Sequence, residues 1–228
     1  MNYRDKFYSK YVSTQTSQLY GEVNLTDIKK QFSVWQKYFD RFLPKDKNIK
    51  ILDIGCGNGG FVYWLQQISY QNVEGIDISE EQVNLANKFG IKNILQADIK
   101  EFLKDKKEIY DVIFARDVLE HFNKEEIIDV LDAVYNSLKK GGQFICQTVN
   151  AENLLWGRLR YGDFTHELAF TKESASQVFQ IAGFKNVEVY PQPSVIHGLK
   201  SLIRHCLWKC IEHCLRFYLL IETGSAKG

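Results

Sequence analysis

Several features are missing from this chain of 228 residues, and each absence removes a class of protein. Neither sign of charge prevails: 29 Lys and Arg stand against 28 Asp and Glu, so whole-chain electrostatics favours no nucleic acid or other polyanion as partner. No charge-free apolar run reaches the roughly 18 residues that a membrane span needs. The opening MNYRDKFYSKYVS contains no apolar core of a secretory signal. Cys56, Cys146, Cys206, Cys210 and Cys214 include no Cys-x-x-Cys pair, and the last three recur every fourth residue, which is not a disulfide framework. A reducing, cytoplasmic setting is the expectation. No His-x3-His or paired acidic set stands near the loops, so no metal is expected. The three spaced cysteines read instead as small apolar residues buried along one helical stripe. No repeat or low-complexity tract appears.

What is present is one domain elaborated at both ends. Residues 1–47 are polar and aromatic-rich, with Phe32, Trp35, Phe39 and Phe42 at spacings of three and four, and are expected to form an N-terminal helical region. From 48 to 150, the β-branched runs IKILDI, NVEGIDI, KNILQA, YDVIFA and GQFICQTV alternate with amphipathic segments. Ser79 with Gln82 reads as a capping box opening one helix, which Gly90 closes. Asn123 with Glu126 opens another, KEEIIDVLDAVYNSLKK, with Ile127, Leu131, Val134 and Leu138 on one stripe and Gly141 as its stop. This alternation predicts an α/β fold, Rossmann-like and doubly wound, with a mostly parallel sheet covered by helices on both faces. Residues 151–228 hold a loop of aromatics and charges, a helix from Lys172 to Ala182, a strand KNVEVY and a long amphipathic helix.

The stretch ILDIGCGNGGF places Gly55, Gly57 and Gly60 directly after the first strand. Such glycines let the chain turn sharply into a helix and let a ligand approach without Cβ atoms. Asp53 precedes the loop by two residues, where a pyrophosphate would meet like charge. A ligand with a cationic end, such as the ammonium and sulfonium of S-adenosylmethionine, would be attracted there instead. Asp77 ends the second strand, where a carboxylate can accept two ribose hydroxyls, as it also can in dinucleotide sites. Asp98, after the third strand, can accept an adenine amino group while Ile78 and Ile99 close on the ring; alternatively it only caps the helix that follows.

Taken in order, LDIGCGNG, GIDIS, QADI, FARDVLEHF and LKKGGQFIC closely resemble the five motifs of class I S-adenosylmethionine-dependent methyltransferases, over Lys50 to Asn150. The resemblance implies S-adenosylmethionine as cofactor and a sheet of seven strands that ends in an antiparallel hairpin. KNVEVY would be the sixth strand; ETGSAKG, after Ile221, offers no seventh, and a fragment of something longer is the expectation. On this resemblance the cofactor side comprises Asp53, Gly55, Cys56, Gly57, Asp77, Ile78, Asp98, Ile99 and Arg116.

Methyl transfer to a hydroxyl calls for alignment and for a base. His166, in YGDFTHELAFT, is the first candidate, with Asp163 and Glu167 to orient it; otherwise it caps the helix near Thr171. His121 resembles the family position beside the methionine moiety. Arg116 and Asp117 follow the fourth strand and should face cofactor or acceptor, unless they are only a charge pair at a helix start. Trp156, Arg158, Arg160 and Tyr161 would hold an anionic group or stack on a sugar, or else are solvated loop residues. The N-terminal FYSKYVSTQT is similar to family leaders that fold over the cofactor as a lid, which implies that residues 1–47 form a helical lid and that Tyr8 or Tyr11 helps to shut the site; otherwise they belong to a packing helix.

The DFTHE…FT loop and the basic C-terminal helix resemble bacterial methyltransferases of surface-glycan and other polysaccharide pathways, which implies O-methylation of a sugar hydroxyl in a surface glycan or glycan precursor. Alternatives are a small-molecule or quinone-precursor methyltransferase, a nicotinamide oxidoreductase (which Asp53 and Asp98 oppose), and an idle binding module. The stripe through Leu199, Ile203, Cys206, Cys210 and Cys214 should pack on the domain or a second copy. Otherwise it lies on a membrane, with Lys200, Arg204, Lys209 and Arg216 toward headgroups.

Overall fold

The computed structural model describes residues 3–17, 21 and 23–224. Parts of the N-terminal segment, and the last four residues of ETGSAKG, lie outside the described residues. The five β-branched runs form strands β1 (Lys50–Ile54), β2 (Asn72–Asp77), β3 (Ile94–Gln96), β4 (Tyr110–Arg116) and β5 (Leu138–Gln147). They pair in the order β3-β2-β1-β4-β5, all parallel. Strand β1 lies at the centre, and Ile51, Leu52, Asp53 and Ile54 are all fully buried, as a strand covered on both faces requires.

Alternation along the strands splits the core in two. Leu52, Ile54, Ile113 and Ala115 point to one layer and pack with Val130 and Val134 of helix α7 (Lys124–Ser137). Ile51, Val112 and Phe114 point to the other. There they meet Phe61, Trp64 and Leu65 of α4 (Gly60–Gln67), backed by Ile28 of α2 (Leu25–Lys30) and Phe39 of α3 (Phe32–Phe39). Before these, α1 (Tyr3–Tyr8) and a π-helical turn, Val12–Thr16, run toward the carboxyl ends of the strands. Helices α5 (Glu80–Lys88) and α6 (Ile99–Leu103) complete the crossovers from β2 and β3.

Several expectations need correction. The capping box of Asn123 and Glu126 is present, but α7 ends at Ser137 rather than running through Lys140. Leu138 already pairs with Tyr110, so strand pairing overrides helix propensity, and a register shift separates Tyr110 from Val112. Ser79 stands at the start of α5 without capping it; its hydroxyl donates to the Tyr8 carbonyl at 2.8 Å, so tertiary contact takes the side chain that local capping would use. KNVEVY is not a strand: the described residues contain five, and Glu188 and Tyr190 are exposed beside a broad groove that separates this segment from β5. Tyr190 instead packs on Phe42 and under Arg41.

After β5 come α8 (Trp156–Arg160), α9 (Lys172–Ile181, capped by Thr171) and α10 (Leu199–Thr223). No residue of α10 is buried, and Cys206, Cys210 and Cys214 are exposed. The expected packing of its apolar stripe on the domain does not occur, because the opposite side of the helix faces the protein.

Candidate active site

The site forms at the carboxyl ends of the paired strands β1 and β4, since β2 lies on one side of β1 and β4 on the other, leaving a crevice between the loops that follow them. A cavity of about 360 Å³ opens there. Gly55 and Gly57 form its floor with φ of +64° and +55°. A Cβ on Gly55 would come within 2.3 Å of Val118, so this close approach needs glycine. The Gly57 N–H donates to Asp77 Oδ2 and the Ser79 N–H to Asp77 Oδ1, each at 2.8 Å. Burial raises the Asp77 pKa, and the two N–H donors oppose that shift. Its carboxylate is thus held at the cavity wall with lone pairs to spare.

Ile78, Asp98 and Ile99 line the same wall. Asp98 caps α6, its Oδ1 accepting from Lys100 N at 2.9 Å and Glu101 N at 3.1 Å, so the helix-cap reading holds for one of its oxygens. Asp53 is placed otherwise than its charge suggested. It does not line the cavity but lies fully buried beneath the loop, with Arg116 at 3.7 Å. Neither oxygen of Asp53 has a hydrogen-bond partner among the described residues, and neither has Arg116 Nε. Burial, partly offset by Arg116, pushes the Asp53 pKa up to about 6. The Arg116 guanidinium is itself covered by Phe61 and Trp35, at 4.1 and 5.2 Å. Cys56 is buried too, and burial raises its thiol pKa, so it is a packed side chain and a poor nucleophile.

Across the cavity stand Asp117 and His121. Asp117 has a left-handed backbone, φ +55°, fixed by its N–H to Gln147 O and by Gln147 Nε2 donating to its carboxylate. His121 ends a 3₁₀ turn, Leu119–His121, and its Nδ1 lies 2.9 Å from Thr165 Oγ1. The Thr165 hydroxyl donates to Asp163 Oδ1 at 2.6 Å, so it can only accept from His121. His121 therefore carries its proton on Nδ1 and leaves Nε2 as an acceptor. Burial, then the charge of His166, lowers its pKa to about 4. His166 stacks edge-on against it, with centroids 4.7 Å apart. The Nδ1 of His166 lies 2.9 Å from the Leu159 carbonyl, which accepts only, so its Nε2 is an acceptor as well whenever the ring is neutral.

The expected orienting pair for His166 does other work. Asp163 accepts from Tyr11 OH at 2.6 Å and from Thr165, and so holds His121; Glu167 accepts from Tyr3 OH. The carbonyl of Leu159 takes the role assigned to them, through a contact invisible in sequence. His166 lines a broad groove that continues outward from Asp117 and His121. Arg158 reaches that groove, whereas Trp156, Arg160 and Tyr161 lie outside its lining, with Arg160 over the Tyr161 ring.

The N-terminal segment forms the outer wall of the cavity through Arg4, Tyr8 and Tyr11. Arg4 pairs with Glu126, and Glu81 Oε2 accepts the N–H groups of Val12 at 2.7 Å and Ser13 at 3.1 Å.

Sequence reasoning missed Glu120. It is 1% exposed, accepts from Thr148 Oγ1 at 2.8 Å, and lines the groove. Burial, then the charge of Asp117, pushes its pKa up to about 8. Its neighbours in DVLEHF give it the look of a surface residue, and only the fold buries it. The native state binds this proton more tightly than the unfolded chain, so stability from it is full at low pH and is lost as pH rises toward about 8. Glu120→Gln, which mimics the protonated acid, should melt with the parent near pH 4.5 and increasingly above it as pH climbs to 8. A gap that stays constant with pH in thermal melts would contradict the buried, protonated carboxyl.

A family model described as methyltransferase domain matches residues 28–189. The chain belongs to the class I S-adenosylmethionine-dependent methyltransferases. This methyltransferase chain is 38% identical over 108 residues to a ubiquinone biosynthesis O-methyltransferase of Pelagibacter ubique, which covers 46% of this chain and 43% of that protein. Over 98 residues it is 38% identical to a probable (S)-tetrahydroprotoberberine N-methyltransferase of Papaver bracteatum, covering 40% and 26%. The chain thus spans less than half the length of these curated relatives, whose names differ in the atom methylated. A solved S-adenosylmethionine-dependent methyltransferase from Archaeoglobus fulgidus shares the fold, with TM-score 0.59, 24% identity, and coverage of 72% of this chain and 71% of that one.

Proposed function

We propose that this chain is an O-methyltransferase that uses S-adenosylmethionine and acts on a hydroxyl held in the groove. The observation that carries this reading is the pair of imidazoles at the junction of cavity and groove, each with Nδ1 committed and Nε2 directed to accept. When bound, the sulfonium supplies an activated methyl group. The cavity suits the rest of that molecule. Gly55 and Gly57 leave room for it, Asp77 has lone pairs for ribose hydroxyls, and Ile78 and Ile99 offer apolar faces to a flat ring. Asp53 and Arg116 act from below by setting the field under the loop. His166 takes the acceptor proton at Nε2 as the new oxygen–carbon bond forms and the carbon–sulfur bond breaks to leave a neutral thioether. His121, kept neutral by burial, is the weaker proton acceptor and lines the cofactor side. Tyr8, Tyr11 and Arg4 close the cavity as a lid and exclude water, which sharpens every charge effect inside.

For the acceptor we favour a sugar hydroxyl of a surface glycan or glycan precursor. The groove is open, and Asn150, Asn153, Arg158 and Gln192 along it offer hydrogen-bond partners to an extended hydroxyl-rich molecule. A quinone-precursor or other small-molecule acceptor is the second reading, which the name of the Pelagibacter relative favours. The unpaired cysteines fit a reducing cytoplasm as the place of action. The test is transfer of labelled methyl from S-adenosylmethionine to a panel of oligosaccharides and catechols. Label on an oligosaccharide supports the first reading and label on a catechol the second. Tight cofactor binding with label on neither would point to an idle fold.

A further inference from the structure

Helix α10 turns its apolar face away from the protein. Leu199, Ile203, Leu207, Phe217 and Ile221 share that face and are 72, 52, 61, 64 and 71% exposed. The half-buried residues, Ser201, His205, Glu212, Leu215 and Leu219, lie on the opposite side. A soluble surface helix shows the reverse arrangement. Twenty-five residues at about 1.5 Å each give a length of roughly 37 Å, and among the described residues no helix is long and apolar enough to cross a membrane.

Charge selects what covers this face. Lys200 and Arg204 project beside the apolar stripe and have no carboxylate partner among the described residues. Glu212 is already shared by Lys209 and Arg216, at 2.6 and 2.7 Å, which leaves Glu222 as the one acid of the helix without an ion pair among the described residues. A second copy in a symmetric pair would bring the same surplus of cations and one spare acid. A surface of lipid phosphates supplies the missing anions, while lysine and arginine stems lie along the acyl boundary with their heads raised.

We propose that α10 lies flat in the interface of an anionic phospholipid membrane, apolar face inward. Its other side overlooks the groove through Trp208, Glu212 and Arg216, so the groove opens next to the lipid. An acceptor carried on a lipid then reaches His166 without leaving the membrane surface; that consequence alone rests on the methyl-transfer reading.

The experiment is flotation of the full chain, under reductant because Cys206, Cys210 and Cys214 are exposed, with two sets of vesicles. One set is phosphatidylcholine alone and the other contains phosphatidylglycerol. Each cation near an anionic surface strengthens binding roughly fivefold. Lys200→Glu with Arg204→Glu should therefore weaken binding to the anionic vesicles by at least about tenfold, as should high salt. Ile203→Ser with Leu207→Ser should abolish binding even at low salt. Circular dichroism and S-adenosylhomocysteine affinity should be unchanged in both variants, since none of the four side chains lines the cavity or the groove. Absence of flotation, or equal binding to both vesicle sets, would overturn the proposal. So would a dimer by light scattering that the Ile203→Ser, Leu207→Ser pair dissociates, which would assign the face to a second copy. None of these outcomes bears on methyl transfer, which the acceptor panel reads separately.

Discussion

Asp77→Ala should weaken binding of S-adenosylmethionine by at least about tenfold in calorimetry, since a hydrogen bond to a charged acceptor contributes roughly 1.5–3 kcal/mol. The carboxylate accepts one N–H on each oxygen, from Gly57 and Ser79, and those contacts aim its remaining lone pairs into the cavity. Alanine removes the ribose acceptors and the tie between the glycine loop and the end of β2 together. Asp77→Asn separates the two effects, because it keeps one acceptor oxygen and the shape of the side chain, and it should fall between parent and alanine. A thermal melt of each variant shows whether the fold survives. Unchanged affinity in Asp77→Ala would sink the cofactor placement. Asp53→Asn acts differently from what its position in the sequence suggests: any loss of affinity would come through Arg116 and the loop, not by direct contact.

His166→Ala should slow the chemical step by roughly 10²–10⁴ in a single turnover, with cofactor affinity nearly unchanged. The geometry makes this a demanding test. The Leu159 carbonyl holds Nδ1, so the ring has one free nitrogen and one direction in which to take a proton. His166 lines the groove and not the cavity, so its removal leaves the cofactor's own contacts in place. Added imidazole should restore part of the rate if proton transfer is what was lost. Near-normal turnover in His166→Ala would return this residue to a structural role and transfer the base to His121. His121→Ala should affect cofactor affinity as well, because His121 lines the cavity and its Thr165–Asp163 chain is tied to Tyr11 of the N-terminal wall.

Much of the site could be read from sequence because its parts are backbone features. Glycines at a strand end and acids closing successive strands are local patterns, and a parallel sheet brings them together by its connectivity alone. Gly55, Gly57, Asp77, Ile78, Asp98, Ile99, Asp117 and His121 line one cavity. Less legible was the direction of each side chain. Asp53 sits in a strand buried on both faces, so alternation could not say which neighbour it would meet, and Arg116 lies 63 residues further along the chain. His166, Leu159 and Glu120 are related only through loops whose course depends on packing.

Sequence alone determined the α/β class, the five parallel strands of the core and the glycine loop, since each rests on periodicity or on short-range spacing; the methyltransferase family was legible through the resemblance of five motifs in order. It also determined that α10 would be amphipathic. Tertiary structure alone decided that β5 begins at Leu138, that KNVEVY stays out of the sheet, and that Asp163 serves His121 rather than His166. It decided as well which way the apolar face of α10 points. The reason is common to all four. A pattern states that a face, an edge or a charge needs a partner, but the partner lies far along the chain, and only packing selects it.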